Sequence, residues 1–298
     1  MCIRDSSKNL KFGAADIGGV YYSCASTFTQ LADNEIDGYT FETKTTAGSV
    51  ANLRLISDGY IDLAIVQADL LSDAYNATGT FADKKYQKGY KAVASLYTEC
   101  CQIVVRKDSG ITGIDDLINK TVSVGASESG TEKNAEQILK MSGITDELIN
   151  KVNMDYTEAA EKLKAGEIDA FFCTAGTRTE VIGQLSKECD ICLISLDDKC
   201  IDKMLSAYSL CEKYTIPAGT YNGQDSDVTT IGVKAVLIAK QSLSDDVIKN
   251  VTKTIYEHAD DFKYATSLDI SFDINTAADG VDIPFHSCLL YTSPSPRD

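Results

Sequence analysis

Four short stretches join the end of an apolar run, a turn of small residues and the start of a helical pattern: Gly18-Gly19-Val20-Tyr21, Ala47-Gly48-Ser49, Ser127-Glu128-Ser129-Gly130-Thr131 and Thr174-Ala175-Gly176. A helix N-terminus carries unpaired N–H groups and a partial positive charge, so it can hold a carboxylate or a phosphate. Glycine lets the ligand come close to the backbone. Serine and threonine also begin many helices that bind nothing, so one such turn says little. Their recurrence along the chain points to an anion-binding cleft. Gly19, Tyr21, Gly48, Ser49, Ser129, Gly130, Thr131, Thr174 and Gly176 are its candidate binding residues.

Side chains could add to these backbone groups. Away from the two ends the only arginines are Arg54, Arg106 and Arg178. Arg178 follows Thr174-Ala175-Gly176 and could take a carboxylate with both arms of its guanidinium, or simply sit in solvent at a helix start. Arg54 falls within a helical pattern and is expected to pack or pair with a neighbour. Tyr21, Tyr22, Tyr97 and Tyr221 flank turns and could wall a ligand's apolar part, with core packing the alternative for each. Gln67 closes a buried strand and offers an amide. Asp62 and Asp169 are expected to position turns.

Catalytic chemistry finds less support. The only histidines are His258 and His286, and no Ser/His/Asp or Cys/His arrangement suggests itself. Glu99 or Glu128 could act as an acid or base, but neither has an obvious partner in the sequence. Cys189-x-x-Cys192 with Cys200 and Cys211 imitates a zinc set, yet the spacing is irregular and Cys192 lies in an apolar strand. There is no phosphate-binding loop of the P-loop or dinucleotide type. No catalytic residue, metal or cofactor is expected.

The elements that must position these turns follow from periodicity. Thr46-Ala47-Gly48-Ser49, a helical stretch and Gly59-Tyr60-Ile61-Asp62 are echoed by Ser129-Gly130-Thr131-Glu132, helical stretches and Gly166-Glu167-Ile168-Asp169. Each set reads as a turn opening a helix, a glycine stop and a buried strand. The pattern predicts strands over 10–15, 39–45, 61–67, 152–156, 168–173 and 191–196, with helices over 20–32, 132–141, 158–165 and 198–207. Ser49 reads as the cap of a helix ending at Gly59. Two strands, 92–96 and 102–106, flank Tyr97-Thr98-Glu99 as a crossing between lobes. A β-rich return runs over 229–239, and a single long helix closes the chain over 244–262. The fold class is therefore α/β, with mostly parallel sheets flanked by helices, in two lobes around a hinge and a central cleft. Lobe one would comprise 8–97 and 242–287, and lobe two 98–241.

The bulk composition agrees with such a protein. The chain has 298 residues, 44% hydrophobic and 24% charged, which is globular rather than disordered. A net charge of -16 argues against nucleic acid, which needs a basic face, but not against a small anion held by local amides. No apolar run is long enough to span a membrane. Of the 10 cysteines, vicinal and strand-embedded positions such as Cys100-Cys101 and Cys173 suit small buried hydrophobes. Residues 1–7 and 288–298 resemble translated sequencing-adapter read-through and are set aside from fold reasoning. On that reading the natural N-terminus is missing, and the lack of a signal segment says nothing about location.

Gly18-Gly19-Val20-Tyr21-Tyr22, the run from Ala47-Gly48-Ser49 to Leu55, Ile65-Val66-Gln67-Ala68-Asp69, Ser123-Val124-Gly125-Ala126, Ser129-Gly130-Thr131-Glu132, Phe171-Phe172-Cys173-Thr174-Ala175-Gly176, Ile216-Pro217-Ala218-Gly219-Thr220-Tyr221 and Ile283-Pro284-Phe285-His286 together resemble the TAXI family. These are extracytoplasmic solute-binding subunits of TRAP transporters. The resemblance is collinear over roughly 8–286. It implies a type II periplasmic-binding-protein fold, capture of a small carboxylate such as glutamate or another organic acid, and membrane subunits of a sodium-driven TRAP transporter as partners. It further implies an extracytoplasmic location, in the periplasm or as a cell-surface lipoprotein, and action as a monomer. The chain departs from the family pattern at Ala47, usually Gly, and Ala51, usually Glu. It also departs at Ser127-Glu128, usually Pro-Gly, and at Arg178, usually Pro, and Ser23 and Ser26-Thr27 replace a proline and small-residue run. A periplasmic dehydratase-like enzyme on the same fold and a ligand-sensing domain are the alternative functions.

Overall fold

A computed structural model describes residues 8–83, 88–266, 272 and 274–289. The N-terminal stretch set aside above lies outside the described residues, as does the C-terminal one apart from Cys288 and Leu289.

The chain folds as β1 (Lys8–Gly13), α1 (Val20–Glu35), β2 (Tyr39–Lys44), α2 (Ser49–Ser57), β3 (Leu63–Gln67), α3 (Ala68–Asn76) and β4 (Tyr90–Arg106). It continues with β5 (Thr121–Ser123), α4 (Gly130–Met141), β6 (Asn150–Val152), α5 (Tyr156–Ala165), β7 (Ala170–Ala175), α6 (Glu180–Glu188), β8 (Ile191–Leu193) and α7 (Asp198–Ala207). It ends with β9 (Cys211–Ile216), β10 (Val228–Lys240), α8 (Asp245–Glu257) and α9 (Ala259–Thr266). Among the described residues no helix is long and apolar enough to cross a membrane.

The strands form one sheet in the order β2-β1-β3-β10-β4-β7-β5-β6. Two parallel sets, β2-β1-β3 and β7-β5-β6, are joined through the antiparallel strands β10 and β4. This is the expected two-lobed α/β architecture, with both parallel sets ending toward a common cleft. Open α/β sheets bind ligands at such carboxyl ends. The two strands predicted over 92–96 and 102–106 are in fact one 17-residue strand, β4. Tyr97-Thr98-Glu99, expected as the crossing between lobes, lies within this strand, which is buried on both faces, and an apolar run covered on both faces stays extended without alternation. β4 and β10 therefore run from one lobe into the other. Their pairing shifts register near Ala235/Val236 and Leu237/Ile238, where bulges bend the ribbon.

The repeated Ile-Asp pair has a physical cause. Asp62 Oδ2 accepts from the Lys11 N–H at 2.9 Å, and Asp169 Oδ2 accepts from the Thr121 N–H at 2.8 Å. Each aspartate thus ties the entry of an inner strand to its parallel neighbour, β3 to β1 and β7 to β5. The echo is a registration device used once in each lobe.

Apolar helix faces cover the sheet. In α1, Val20, Tyr21, Cys24, Ala25, Phe28 and Ala32 recur at helical spacing and bury against Phe12, Phe41 and Ile65. The helix predicted over 244–262 is interrupted. α8 stops at Glu257 and α9 starts at Ala259, while the ring of His258 bonds Glu35 at 2.6 Å and Asp261 at 2.9 Å.

Candidate functional site

Three helices aim their N-termini at one cavity. α1 is capped by Gly19, α2 by Gly48 and α4 by Ser129. The cap of α2 is Gly48 rather than Ser49, because the backbone there has φ 121° and ψ -150°, a region that strains any residue with a Cβ. Ser49 is the first residue of the helix instead. Its hydroxyl accepts from the Gln67 N–H at 3.0 Å, which ties α2 to the end of β3. Neither glycine has a capping side chain, and of the first-turn amides of α2 that of Ala51 is taken by the Glu128 carbonyl. At α4, Ser129 Oγ takes the Glu132 N–H at 2.9 Å and leaves Gly130 and Thr131 toward the cleft.

The two lobes touch around this point. Asn52 of α2 is fully buried and donates to the carbonyls of Ala14 at 2.6 Å and Ile65 at 2.9 Å, fixing α2 over β1 and β3. The Ala51 N–H donates to the Glu128 carbonyl at 3.1 Å, across the cleft. Arg54, expected to pair with a neighbour, makes an ion pair with the carboxylate of that same Glu128. The Tyr156 N–H donates to Asp16 Oδ2 at 3.2 Å, closing the opposite rim. A Cβ on Gly130 would stand 2.4 Å from Gln67 Oε1, so the absence of a side chain lets α4 approach β3.

The cavity measures about 40 Å³ and is lined by Ala15, Asp16, Gly19, Val20, Tyr21, Ala47, Gly48, Ser49, Gln67, Glu99, Ala126, Ser129, Gly130, Thr131, Asp155, Tyr156, Thr174 and Ala175. None of these is lysine, arginine or histidine. An anion here would depend on backbone amides and hydroxyls, as the turns predicted. Two hydroxyls and the backbone of β7 form a relay: Thr131 Oγ1 lies 2.5 Å from Tyr156 Oη, which donates to the Thr174 carbonyl at 3.0 Å. Thr131 Oγ1 also accepts from the Thr174 N–H at 3.2 Å, so its proton is directed at Tyr156.

Gly19, Tyr21, Gly48, Ser49, Gln67, Ser129, Gly130, Thr131 and Thr174 all line this cavity, as the sequence reading placed them. Tyr97, Gly176 and Arg178 do not. Tyr97 is buried in the core on β4. Gly176 turns its carbonyl toward the Thr179 hydroxyl and the Gln102 amide. Arg178 is exposed at φ 64°, next to Thr179, which is buried and bonded to Tyr221. The expected carboxylate clamp is therefore outside the cavity lining.

Glu99 is the residue whose place in the cleft the turns did not reveal. It lies on β4 where that strand passes between the lobes, and is 3% exposed. Its Oε2 accepts from Tyr21 Oη at 2.7 Å and from Gln67 Nε2 at 3.4 Å. Burial raises its pKa to about 8, against the lowering effect of those two bonds. One signal pointed to it: Glu99 is the only charged residue between Ala92 and Val105. Asp16 is also raised, first by burial and then by Asp155 beside it. Asp69 of α3 is buried, and desolvation raises it to about 6.

Comparison with known proteins places this geometry in a family. A family model described as NMT1-like matches residues 12–288, and the chain belongs to that family. Among solved structures, the chain is similar to a Prochlorococcus marinus protein solved with methylphosphonate, at TM-score 0.61 and 12% identity, with 92% of this chain and 95% of that one covered. A Bordetella bronchiseptica RB50 protein matches at TM-score 0.58 and 17% identity, covering 88% and 76%. A structure titled as a putative L-cystine ABC transporter from Listeria monocytogenes matches at TM-score 0.54 and 15% identity, covering 87% and 94%. At these identities the likeness is one of fold.

Proposed function

We propose that this chain is an extracytoplasmic solute-binding protein that closes its two lobes on a small carboxylate and delivers it to the membrane subunits of a transporter. The observation that carries the reading is the convergence of the α1, α2 and α4 N-termini on one cavity whose lining contains no cationic side chain. Amide groups at helix starts hold an anion without a counter-ion residue. Strands β4 and β10, shared by both lobes, offer the hinge about which such a cleft opens. The neighbour solved with methylphosphonate and the one titled as a putative L-cystine ABC transporter share the fold.

The finer reading is that the ligand is an amino acid such as glutamate or another organic acid, and that the partner is a TRAP-type secondary transporter. It rests on the TAXI-like residues, of which Gly19, Ser49, Gly130 and Thr131 line the cavity. A thermal-shift screen with amino acids and organic acids tests it. A ligand that binds only the folded state raises the melting temperature by mass action. A flat response to every carboxylate would contradict the reading. An enzyme on the same fold would need a second acid/base group set against Glu99. The bonds of Glu99 go to Tyr21 and Gln67, so binding is the better-supported function.

A further inference from the structure

The geometry points to a proton-operated clasp between the two sides of the cleft: Asp69 of α3, facing Asn134 and Gln137 of α4, takes up a proton when the lobes come together and releases it when they part. This rests on the lobe-closing part of the function proposed above and adds a control to it. It does not depend on which solute is bound.

Three buried acceptor atoms lie here without a donor. Asp69 is 8% exposed and Asn134 is 0% exposed. Both carboxylate oxygens of Asp69 and the Oδ1 of Asn134 lack a hydrogen-bond partner. α3 packs with β3 on one side of the cleft, and α4 packs with β7 on the other. Gln137 joins them: its Oε1 accepts from Asn134 Nδ2 at 3.4 Å, and its side chain lies beside the Asp69 carboxyl. An ionised carboxylate can only accept, and so can the Asn134 carbonyl. One proton on Asp69 removes the conflict. The protonated acid donates to Asn134 Oδ1, Asn134 donates to Gln137, and the Gln137 amide donates to the free Asp69 oxygen. Buried polar atoms are rarely left unpaired, so the proton is the natural missing partner. A metal ion suits the place less well, because Asp69 sits in the first turn of α3, at the positive end of that helix.

Among the described residues, the titratable groups that act on Asp69 are Asp73 of α3, Glu99 of β4, Tyr208 after α7 and Cys211 of β9, none of them a cation. Burial raises Tyr208 and Cys211, so both stay neutral near pH 7, and Glu99 holds its proton below about pH 8. Basic side chains on the surrounding elements are engaged with other groups. Lys133 of α4 pairs with Glu132 and Glu136, Arg54 of α2 with Glu128, Lys213 of β9 with Asp198 and Lys234 of β10 with Glu212, while Lys91 of β4 lies over the Tyr75 ring. Burial therefore raises Asp69 from 3.8 to about 6. In the open form the same carboxyl meets water and returns toward its ordinary value. A group whose pKa is higher in the closed form favours closing at low pH, and that preference is lost as pH rises through about 6.

Small-angle X-ray scattering of the unliganded full chain, with the Asp69 carboxyl carbon followed by NMR, tests the clasp between about pH 5 and pH 7.5. Asp69 is expected to titrate near pH 6. Closing is expected to be about tenfold more favourable at the lower pH, read as a smaller radius of gyration. Asp69→Asn, which supplies a permanent neutral donor to Asn134, is expected to stay compact at both pH values. An Asp69 midpoint at the ordinary 3.8, a wild-type radius that does not change with pH, or an Asp69→Asn protein that keeps the pH response would overturn the clasp. Compaction at the higher pH on adding sodium or calcium chloride, abolished by Asp69→Asn, would also overturn it and make this a cation site. No solute enters the experiment, so failure of the carboxylate reading leaves its result standing, and failure of the clasp leaves carboxylate binding intact.

Discussion

Arg54 of α2 and Glu128 before α4 are bonded at two points across the cleft, Nε to Oε1 at 3.2 Å and Nη2 to Oε2 at 2.7 Å. The pair links the lobes on the side where the Glu128 carbonyl also takes the Ala51 N–H. On the proposed closing of the lobes, this pair would serve as a latch. Both side chains are more than a third exposed, so water screens the pair and its contribution stays near 1 kcal/mol at most. Glu128→Gln is expected to weaken carboxylate affinity about threefold to fivefold. Raising salt should weaken the wild type more than the variant. Calorimetry at two salt concentrations checks both points, and identical salt dependence would refute the latch.

Gly48 has a backbone conformation that only glycine adopts without strain, and a Cβ there would meet Ser129 Cα at 3.4 Å. Gly48→Ala is expected to cost about 1–3 kcal/mol of stability. It should also reduce ligand affinity, because the α2 N-terminus would move relative to α4. Urea denaturation together with calorimetry measures the two effects. Unchanged affinity with lowered stability would mean that Gly48 serves the fold alone.

Stability of the empty protein should depend on pH through its buried acids. Glu99 is raised from 4.5 to about 8, and Asp69 from 3.8 to about 6. A carboxylate with a raised folded-state pKa contributes stability at low pH, and that contribution is lost as pH rises through the folded value. The unliganded melting temperature should therefore fall from about pH 5 to 8. Glu99→Gln should flatten the upper part of this fall and Asp69→Asn the lower part. A Glu99→Gln protein with an unaltered pH profile would contradict the placement of Glu99.

Much of this arrangement was legible in residue order. Helical and strand periodicity found α1, α2, α4, α7 and the inner strands, because each buries one face or both. Turns rich in small residues marked much of the cavity lining, because close approach of elements needs them, as where Gly130 meets Gln67. What periodicity missed was long-range. β4 reads as two strands because Thr98 and Glu99 interrupt an apolar run, and only burial by β10, α1 and α5 makes one continuous strand of it. Arg178 was left between a clamp and a solvent-exposed side chain because residue order does not fix where a side chain at a left-handed position will go; it is exposed, outside the cavity lining. Glu99 was seen as an unpartnered acid, since its partners Tyr21 and Gln67 are far away in sequence and near only after folding.

The cysteines offer a separate check on the core. Cys24, Cys100, Cys101, Cys173, Cys200 and Cys211 are free and buried, while Cys189 and Cys192 are half-buried. Burial pushes the Cys24, Cys100, Cys101, Cys173 and Cys211 thiols up, which suppresses the reactive thiolate. Brief alkylation of the native protein should label Cys189 and Cys192 first, with the buried six reacting on unfolding. Peptide mass mapping checks this, and rapid native labelling of Cys100 or Cys173 would contradict the packing of the cleft floor.

On the proposed function, helix-start amides around one cavity hold a small carboxylate. Amide chemical shifts of nitrogen-15-labelled protein, followed while a panel of amino acids and organic acids led by L-glutamate is added, test it most directly. Saturable shifts are expected, largest at Gly19, Val20, Ser49, Gly130 and Thr131. A ligand that binds but leaves these amides unmoved, or a panel in which no carboxylate shifts any of them, would contradict it.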